Sequence, residues 1–427
     1  MFIIYDLIFL LFTLVCLPLY LLRGKFHRGF ARRLGFLPAD LKLDAPIWIH
    51  AVSVGEAVAI KGLITQLRQA YPHKKLVIST VTVTGNKIAQ SLLKDGDFLT
   101  YLPLDFSFTV KKVLKKINPC MFIIAETEIW PNLITCLDQQ KIPVITVNGR
   151  ISDSSYAGYC AIKLFIRPVL RKVRQFCVQS DTDSLRLQNL GVDKTRIQVT
   201  GNVKFDINLR SAAAQLDGLA YRKKLWLAQD DKLLVCGSTH PQEEELIFKV
   251  YKKLLLSLPK LKLLVAPRHP ERSYDIGRLA VRVGFMPVFI SSIPEVCPTC
   301  INNPVFILDL IGELFNYYSA ADIVFVGGSL VKKGGHNILE PASLKKPVIF
   351  GPHMFNFRDI SELFLKNKAA LMVHNHNELA DKIKEILGND LMAKGLVERA
   401  YELIKENSGA TVKNLGVIKQ LQNKETI

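Results

Sequence analysis

The 427-residue chain lacks a disulfide framework, because its eight cysteines are scattered. Cys16, Cys120, Cys136, Cys160, Cys177 and Cys236 sit mostly inside apolar runs, as buried thiols do. Cys297 and Cys300 form a single CxxC, with no second pair and no His pair at zinc spacing. This usage favours a reducing compartment. Neither GxxxxGK[ST] nor GxGxxG occurs, which removes support from ordinary ATPase and NAD-dependent readings. No zinc-finger, basic-zipper or aromatic RNA-binding signature is present, so a nucleic-acid partner is not expected. No cluster with metal-ligand spacing is evident, and the expectation is chemistry without a metal or a cofactor. Acidic residues are few: 38 Asp and Glu stand against 56 Lys and Arg, a formal net charge of +18. That excess suits anionic partners such as phosphorylated substrates or an anionic membrane surface.

Apolar residues are abundant, at 49% of the chain, so packed cores are expected and disorder is not. The length suggests two or three domains. Leu7 to Leu22 carries no charge, and extension back to Met1 adds only Asp6. A helix needs about twenty apolar residues to span a bilayer, so this stretch is just long enough. A cleavable signal peptide carries its positive charge before the apolar run. Here Asp6 comes first, and Arg23, Lys25, Arg28, Arg32 and Arg33 follow. The positive-inside rule then places the rest of the chain in the cytoplasm, with the basic collar against the anionic leaflet. A buried or interfacial helix is the alternative reading of 1–22.

From Ile47 onward, short apolar runs alternate with amphipathic stretches. Strands are expected at Ile47–Val52, Leu76–Thr80, Met121–Ala125, Val144–Asn148, Phe176–Gln179 and Ile197–Thr200. A polar helical stretch near 205–227 follows, and strands resume at Leu233–Cys236, Leu261–Ala266, Val305–Leu308, Asp322–Val326 and Pro347–Phe350. Buried strands with intervening helices argue for parallel α/β sheets. The expected division is an anchor at 1–22, a Rossmann-like domain at 23–205 and a second at 206–427, with the last helices able to pack back on the first. Open α/β sheets bind ligands outside the carboxyl ends of their strands, so functional motifs are expected there, facing a cleft.

Several motifs fall at such places. His50-Ala51-Val52-Ser53-Val54-Gly55-Glu56 follows the first strand, and Glu56 opens the next helix. By position alone Glu56 serves equally as a base that activates a hydroxyl or as a complement to the helix dipole. Glu126-Thr127-Glu128-Ile129-Trp130-Pro131-Asn132 follows Met121–Ala125, and paired carboxylates at a buried edge imply a polar site. A capping carboxylate beside a packing aromatic is the alternative. Gly201-Asn202-Val203-Lys204-Phe205-Asp206 offers a Lys for a phosphate or carboxylate. In the second half, Gly237-Ser238-Thr239-His240, Pro267-Arg268-His269-Pro270-Glu271-Arg272 and Gly327-Gly328-Ser329-Leu330 each follow a strand. The last continues through Gly334-Gly335-His336-Asn337-Ile338-Leu339-Glu340-Pro341. These glycines let a phosphate approach the backbone, a helix starting at Asn337 offers N–H donors, and Glu340 can hold ribose hydroxyls.

Taken together and in order, HAVSVGE, ETEIWPNL, NGRIS, GNVKFD, PRHPER, GGSLVKKGGHNILEP and GPHMFNF resemble the 3-deoxy-D-manno-octulosonic acid (Kdo) transferase family of lipopolysaccharide assembly. The resemblance implies the two-domain glycosyltransferase B fold. It implies inverting transfer of Kdo from CMP-Kdo to a lipid A precursor (lipid IVA) at the cytoplasmic face of the inner membrane, with anionic lipids around the anchor. It places the general base on Glu56 and transition-state stabilisation on Glu126 and Lys204. It places CMP contacts on Pro267, Arg268, Ile311, Gly312, Glu313, Asn337, Ile338, Leu339 and Glu340. The chain departs from the family pattern in having Ile338 where Pro is common and Ala125 where Met or Thr is common. Neither departure touches a charged role. Competing readings are a UDP-sugar glycosyltransferase of the same fold and a non-enzymatic nucleotide-sugar binder.

Overall fold

A computed structural model describes residues 2–22, 29–206, 217–296 and 303–425. Cys297 and Cys300, together with Arg23, Lys25 and Arg28 of the basic collar, lie outside the described residues. The chain forms two compact units, Met1–Asp206 with Asn407–Ile427, and Ile207–Glu406. The second unit therefore ends before the expected 206–427 span does, and the terminal residues belong to the first.

In the first unit, β1 (Ile47–His50), β2 (Leu76–Thr80), β3 (Phe98–Tyr101), β4 (Met121–Ala125), β5 (Val144–Gly149), β6 (Gln175–Val178) and β7 (Ile197–Val199) form one parallel sheet. Its order is β3-β2-β1-β4-β5-β6-β7. Both faces are covered by helices, so the inner strands are apolar without a polar alternate. Along β1, Trp48 goes to a core with Val77, Phe122 and Leu133, while Ile47 and Ile49 go to the other face with Ile78 and Ile123. Trp48 also donates from Nε1 to Ser79 Oγ at 2.8 Å and meets Phe122 edge-on.

In the second unit, β8 (Lys232–Thr239), β9 (Leu261–Pro267), β10 (Met286–Phe289), β11 (Pro304–Ile307), β12 (Ile323–Val326), β13 (Val348–Phe350) and β14 (Leu371–Met372) form a second parallel sheet. Its order is β10-β11-β9-β8-β12-β13-β14. The strands without a sequence signal, β3, β10 and β14, are all edge strands. Each is short and only partly buried, so the apolar pattern that marks a strand is weakest there.

The helix Ala410–Glu425 closes the first unit. Ile418 is buried beside Ile47 and Met121, and Asn414 donates to Thr200 Oγ1 at 3.2 Å. The Asp206 carboxylate accepts from the N–H groups of Gly409 (2.6 Å), Ala410 (3.1 Å) and Thr411. Asp206, the last residue of the GNVKFD block, thus caps a helix far along the chain.

The amino-terminal segment is a helix, α1 (Phe2–Leu22). Among the described residues no helix is long and apolar enough to cross a membrane, and the expected anchor is not shown. What the structure does show is α1 tied to the first unit through Asp6. Its carboxylate accepts from Ser107 N at 3.0 Å, Ser107 Oγ at 2.5 Å and Asn132 Nδ2 at 2.7 Å. Tyr5 stacks on Phe165, and Phe9 meets Phe106 edge-on. One side of α1 is thereby seated on the first unit, while Ile3, Leu7, Ile8, Leu11, Leu14 and Val15 are exposed. The two described collar residues are not simply solvated. Arg32 donates to Leu99 O at 2.7 Å, and Arg33 is buried with Nε donating to Leu102 O.

Candidate active site

In each sheet the chain winds one way from a central strand and then the other way. The switch points lie between β1 and β4 and between β8 and β12. Crevices outside the carboxyl ends of such strand pairs are where doubly wound sheets bind ligands.

At the first switch point, Ser53 caps the helix Val54–Ala59. Glu56 accepts from Ser53 Oγ at 3.0 Å through Oε1 and from Val52 N at 2.7 Å through Oε2. This is a capping box that closes onto the Val52 amide. Of the two sequence readings of Glu56, the capping one is observed, and the residue stands beyond the carboxyl end of β1. Burial raises its pKa, the Val52 N–H opposes that rise, and repulsion from Glu126 adds to it. Across the switch point, β4 is followed by Glu126, whose φ of +58° is left-handed. A non-glycine residue held there costs of order 1–3 kcal/mol, a strain that collects at functional sites. Glu128 follows, half-buried. Burial, then the charges of Glu56 and Glu126, push its pKa up to about 7. Three carboxylates from two adjacent loops thus lie within electrostatic reach of one another.

The next helix, Pro131–Gln139, is held by buried Asp105, which accepts from Asn132 N at 3.0 Å and Leu133 N at 2.8 Å. Burial pushes Asp105 up to about 7, and Asn132 also bonds Asp6 of α1. The segment carrying Glu126 and Glu128 is therefore tied directly to α1. Sequence reasoning missed this tie, since Asp105 and Asp6 are far apart in the chain and neither belongs to a motif. Lys204 follows β7 at the sheet's edge, yet its loop folds back: Val203 N–H donates to Asn148 Oδ1 at 3.1 Å, at the end of β5. That sets the Lys204 segment one strand away from β4.

At the second switch point, Ser238-Thr239-His240 leaves β8 and Gly327-Gly328-Ser329 leaves β12. The Gly-rich loop does not present its amides to a ligand. Buried Glu243 takes them, accepting from Gly328 N at 2.7 Å, Leu330 N at 3.0 Å and Ser329 N at 3.2 Å. A Cβ on Gly327 would lie 2.8 Å from Glu243 Oε2, so the glycine admits the carboxylate. The expected phosphate cradle at 327–330 is therefore an internal nest. What the crevice does offer is cationic and imidazole-rich. His240 and His336 stack at 5.1 Å with their Nε2 atoms 2.9 Å apart, so a single proton serves both at that contact. Burial and the neighbouring cations push both down to about 4: Arg268 and His269 act on each, with Lys333 and Arg272 also acting on His240. Neither ring was singled out from sequence, because their pairing joins residues on separate loops.

Pro267 is buried and ends β9, and Arg268 next to it is exposed, its N–H donating to Thr239 O at 3.0 Å. Asn337 accepts from Leu339 N at 3.0 Å and donates to Glu340 Oε1 at 3.0 Å. Burial raises Glu340, with Asn337 and the Arg268 charge opposing. Arg268, His336, Asn337 and Glu340 are thus gathered. Ile338 and Leu339 are core side chains, leaving only their backbone for a ligand, and the helix they begin, Leu339–Ser343, is a short one. Ile311, Gly312 and Glu313 follow β11, two strands from β8. Ile311 is 87% exposed there, and Glu313 accepts from Asn316 Nδ2 at 2.8 Å. Among the described residues no group of three or more His, Cys, Asp or Glu is arranged to hold a metal ion.

This fold is shared with a solved glycosyltransferase from Rickettsia africae, 17% identical, at a TM-score of 0.57 over 89% of this chain and 99% of that one. The molecule thus has the two-domain glycosyltransferase B architecture. Residues 28–207 match the family model described as 3-deoxy-D-manno-octulosonic-acid transferase (kdotransferase). The chain is 35% identical over 417 residues to the 3-deoxy-D-manno-octulosonic acid transferase of Haemophilus influenzae, covering 95% of this chain and 96% of that protein. It is 33% identical over 381 residues to the enzyme of that name from Chlamydophila psittaci, covering 88% and 86%. The chain belongs to the 3-deoxy-D-manno-octulosonic acid transferase family and is a glycosyltransferase.

Proposed function

We propose that the chain transfers Kdo from CMP-Kdo to a lipid A precursor, lipid IVA, with inversion, as a step of lipopolysaccharide assembly at the cytoplasmic face of the inner membrane. The observation that carries the mechanism is the set Glu56, Glu126 and Glu128 at the β1/β4 switch point, where burial and mutual repulsion raise Glu56 and Glu128. A carboxylate raised toward neutral pH is a better base for a sugar hydroxyl. Glu56 takes the proton of the acceptor hydroxyl. The hydroxyl oxygen bonds to the anomeric carbon of Kdo, and the bond from that carbon to the phosphate oxygen breaks, releasing CMP. Arg268 balances the phosphate charge, and Asn337 with Glu340 holds the nucleoside. Glu126 and Lys204 stabilise charge in the transition state. The exposed face of α1 lies in the membrane interface and presents the first unit to lipid-borne acceptor.

A second reading of the base is favoured by one observation. Both Glu56 oxygens already accept hydrogen bonds, whereas Glu128 is raised to about 7 and has no capping role. Glu128→Gln and Glu56→Gln separate the two: the true base loses transfer by about a hundredfold or more. The function itself is tested by mass spectrometry of products from CMP-Kdo and tetraacylated lipid A precursor. Addition of Kdo mass to the acceptor is expected. Transfer from UDP-sugars and none from CMP-Kdo would overturn the reading.

A further inference from the structure

One feature of the first unit lies away from the acidic edge. A cavity of about 440 Å³ is lined by Arg167, Arg171, Gly191, Val192, Asp193 and Arg196. Its arginines come from two separate segments, the helix Lys163–Leu170 with the residue after it, and the turn before β7. Asp193 is the single acidic side chain in the lining; it accepts from Thr195 N at 2.8 Å and Oγ1 at 2.6 Å and also feels the Arg196 charge, leaving three guanidiniums against one carboxylate. Among the described residues no carboxylate lies within ion-pair distance of Arg167, Arg171 or Arg196. The arginines are tied to backbone instead. Arg171 Nε reaches Gly191 O at 3.4 Å, and the Arg196 guanidinium reaches Arg171 O. Gly191, with a φ of +97°, lets Arg167 lie against its Cα, since a Cβ there would come within 2.5 Å of Arg167 Nε.

Three guanidiniums facing one cavity repel each other, and an anion relieves that repulsion. Guanidinium forks match phosphate oxygens in pairs. A helix carboxyl terminus attracts cations by itself, which accounts for Arg171 but not for Arg196 converging on the same space from another segment.

The surroundings say where that phosphate comes from. Leu164, Arg167 and Arg171 fall at i, i+3 and i+7 on one face of one helix, and Leu164 is 92% exposed. Next to Leu164, Phe165 stacks on Tyr5 of α1, whose outer face is apolar and exposed. The rise from Leu164 to Arg167 is about 4.5 Å. If Leu164 and the outer face of α1 enter the acyl boundary, the guanidiniums stand at headgroup level. Arg171 and Arg196 precede β6 and β7, so the cavity lies toward the amino ends of the strands, away from the carboxyl edge that holds Glu56. A lipid bound here is therefore not the acceptor undergoing reaction.

We propose that the cavity lined by Arg167, Arg171 and Arg196 is a binding site for the phosphate headgroup of an anionic membrane phospholipid, which fixes how the first unit sits on the bilayer. The site rests on the membrane attachment proposed above, but not on the identity of the sugar transferred.

The test uses the full chain and co-sedimentation with vesicles of phosphatidylcholine alone or with phosphatidylglycerol. A juxtamembrane cation contributes about fivefold to anionic-vesicle partitioning, so R167Q/R171Q/R196Q should weaken it roughly a hundredfold. Partitioning to neutral vesicles should stay as in the unaltered chain. A control removing three exposed lysines of the second unit, K249Q/K252Q/K253Q, deletes equal charge and should show a far smaller loss. Equal losses in both triple variants, or loss on neutral vesicles too, would overturn the site. Inorganic phosphate binding that needs the three arginines, with vesicle preference intact, would also overturn it by making free phosphate the ligand. Because the assay reads partitioning and not transfer, failure here leaves the proposed reaction standing, and failure of the reaction leaves this site decidable.

Discussion

At the β1/β4 boundary the first unit gathers Glu56, Glu126 and Glu128, whereas at the corresponding β8/β12 boundary the second gathers His240, His336 and Arg268. The winding of the two sheets is alike, and the charge placed at the switch point is opposite. Burial acts on both sets in the same direction, toward the neutral form, because desolvation penalises charge of either sign. Its consequences differ. Carboxylates raised toward neutrality become bases of useful strength, while imidazoles lowered to about 4 stay neutral and leave the fixed charge to Arg268, Arg272 and Lys333. One edge is suited to moving a proton and the other to holding an anion.

The sharpest way to break this division is Glu56→Gln. Transfer should fall by about a hundredfold or more, while a tryptophan-fluorescence melt stays close to that of the unaltered chain because the amide still accepts from Val52 N. Near-normal turnover would remove Glu56 from the chemistry. Next in size is Arg268→Ala, which removes a charged hydrogen-bond donor worth about 1.5–3 kcal/mol, or roughly ten- to a hundredfold in donor KM. An unchanged donor saturation curve would end its phosphate role. Glu126→Gln bears on the repulsion inside the acidic set. Burial and the Glu126 charge raise Glu56, and a base is charged only above its folded pKa, so transfer should rise as pH passes upward through that raised value. Removing the Glu126 charge should shift that acid limb to lower pH, and a limb that stays put would show that repulsion does not set it. Asp6→Ala should cost only a few-fold in transfer, through loss of the bonds that tie α1 to Asn132. Its effect should fall on acceptor KM and leave CMP binding alone. The smallest expected effect is none: chelation by EDTA should leave turnover unchanged, and lost activity restored by a divalent cation would contradict side-chain chemistry alone.

The alternation of apolar runs made the inner strands of both sheets legible, since strands buried on both faces read as continuous apolar segments. It did not reveal β3, β10 or β14, whose edge positions relax that demand. The blocks at strand ends were legible because each chemical side chain follows a strand directly. The pairings were not. Glu243 filling the amides of Gly328 and Leu330, His240 meeting His336, and Asp6 reaching Ser107 and Asn132 join residues that only the fold brings together. Asp6 is the clearest instance. In the sequence it is a blemish in an apolar run, and in the structure it is the contact that seats the run on the protein.

The central claim is that proton transfer and donor binding reside on different units. Calorimetric titration of CMP into Glu56→Gln, set beside turnover of the same preparation, tests it most directly. CMP affinity equal to that of the unaltered chain with transfer reduced at least about a hundredfold is the predicted result. A parallel loss of CMP affinity and transfer would contradict it.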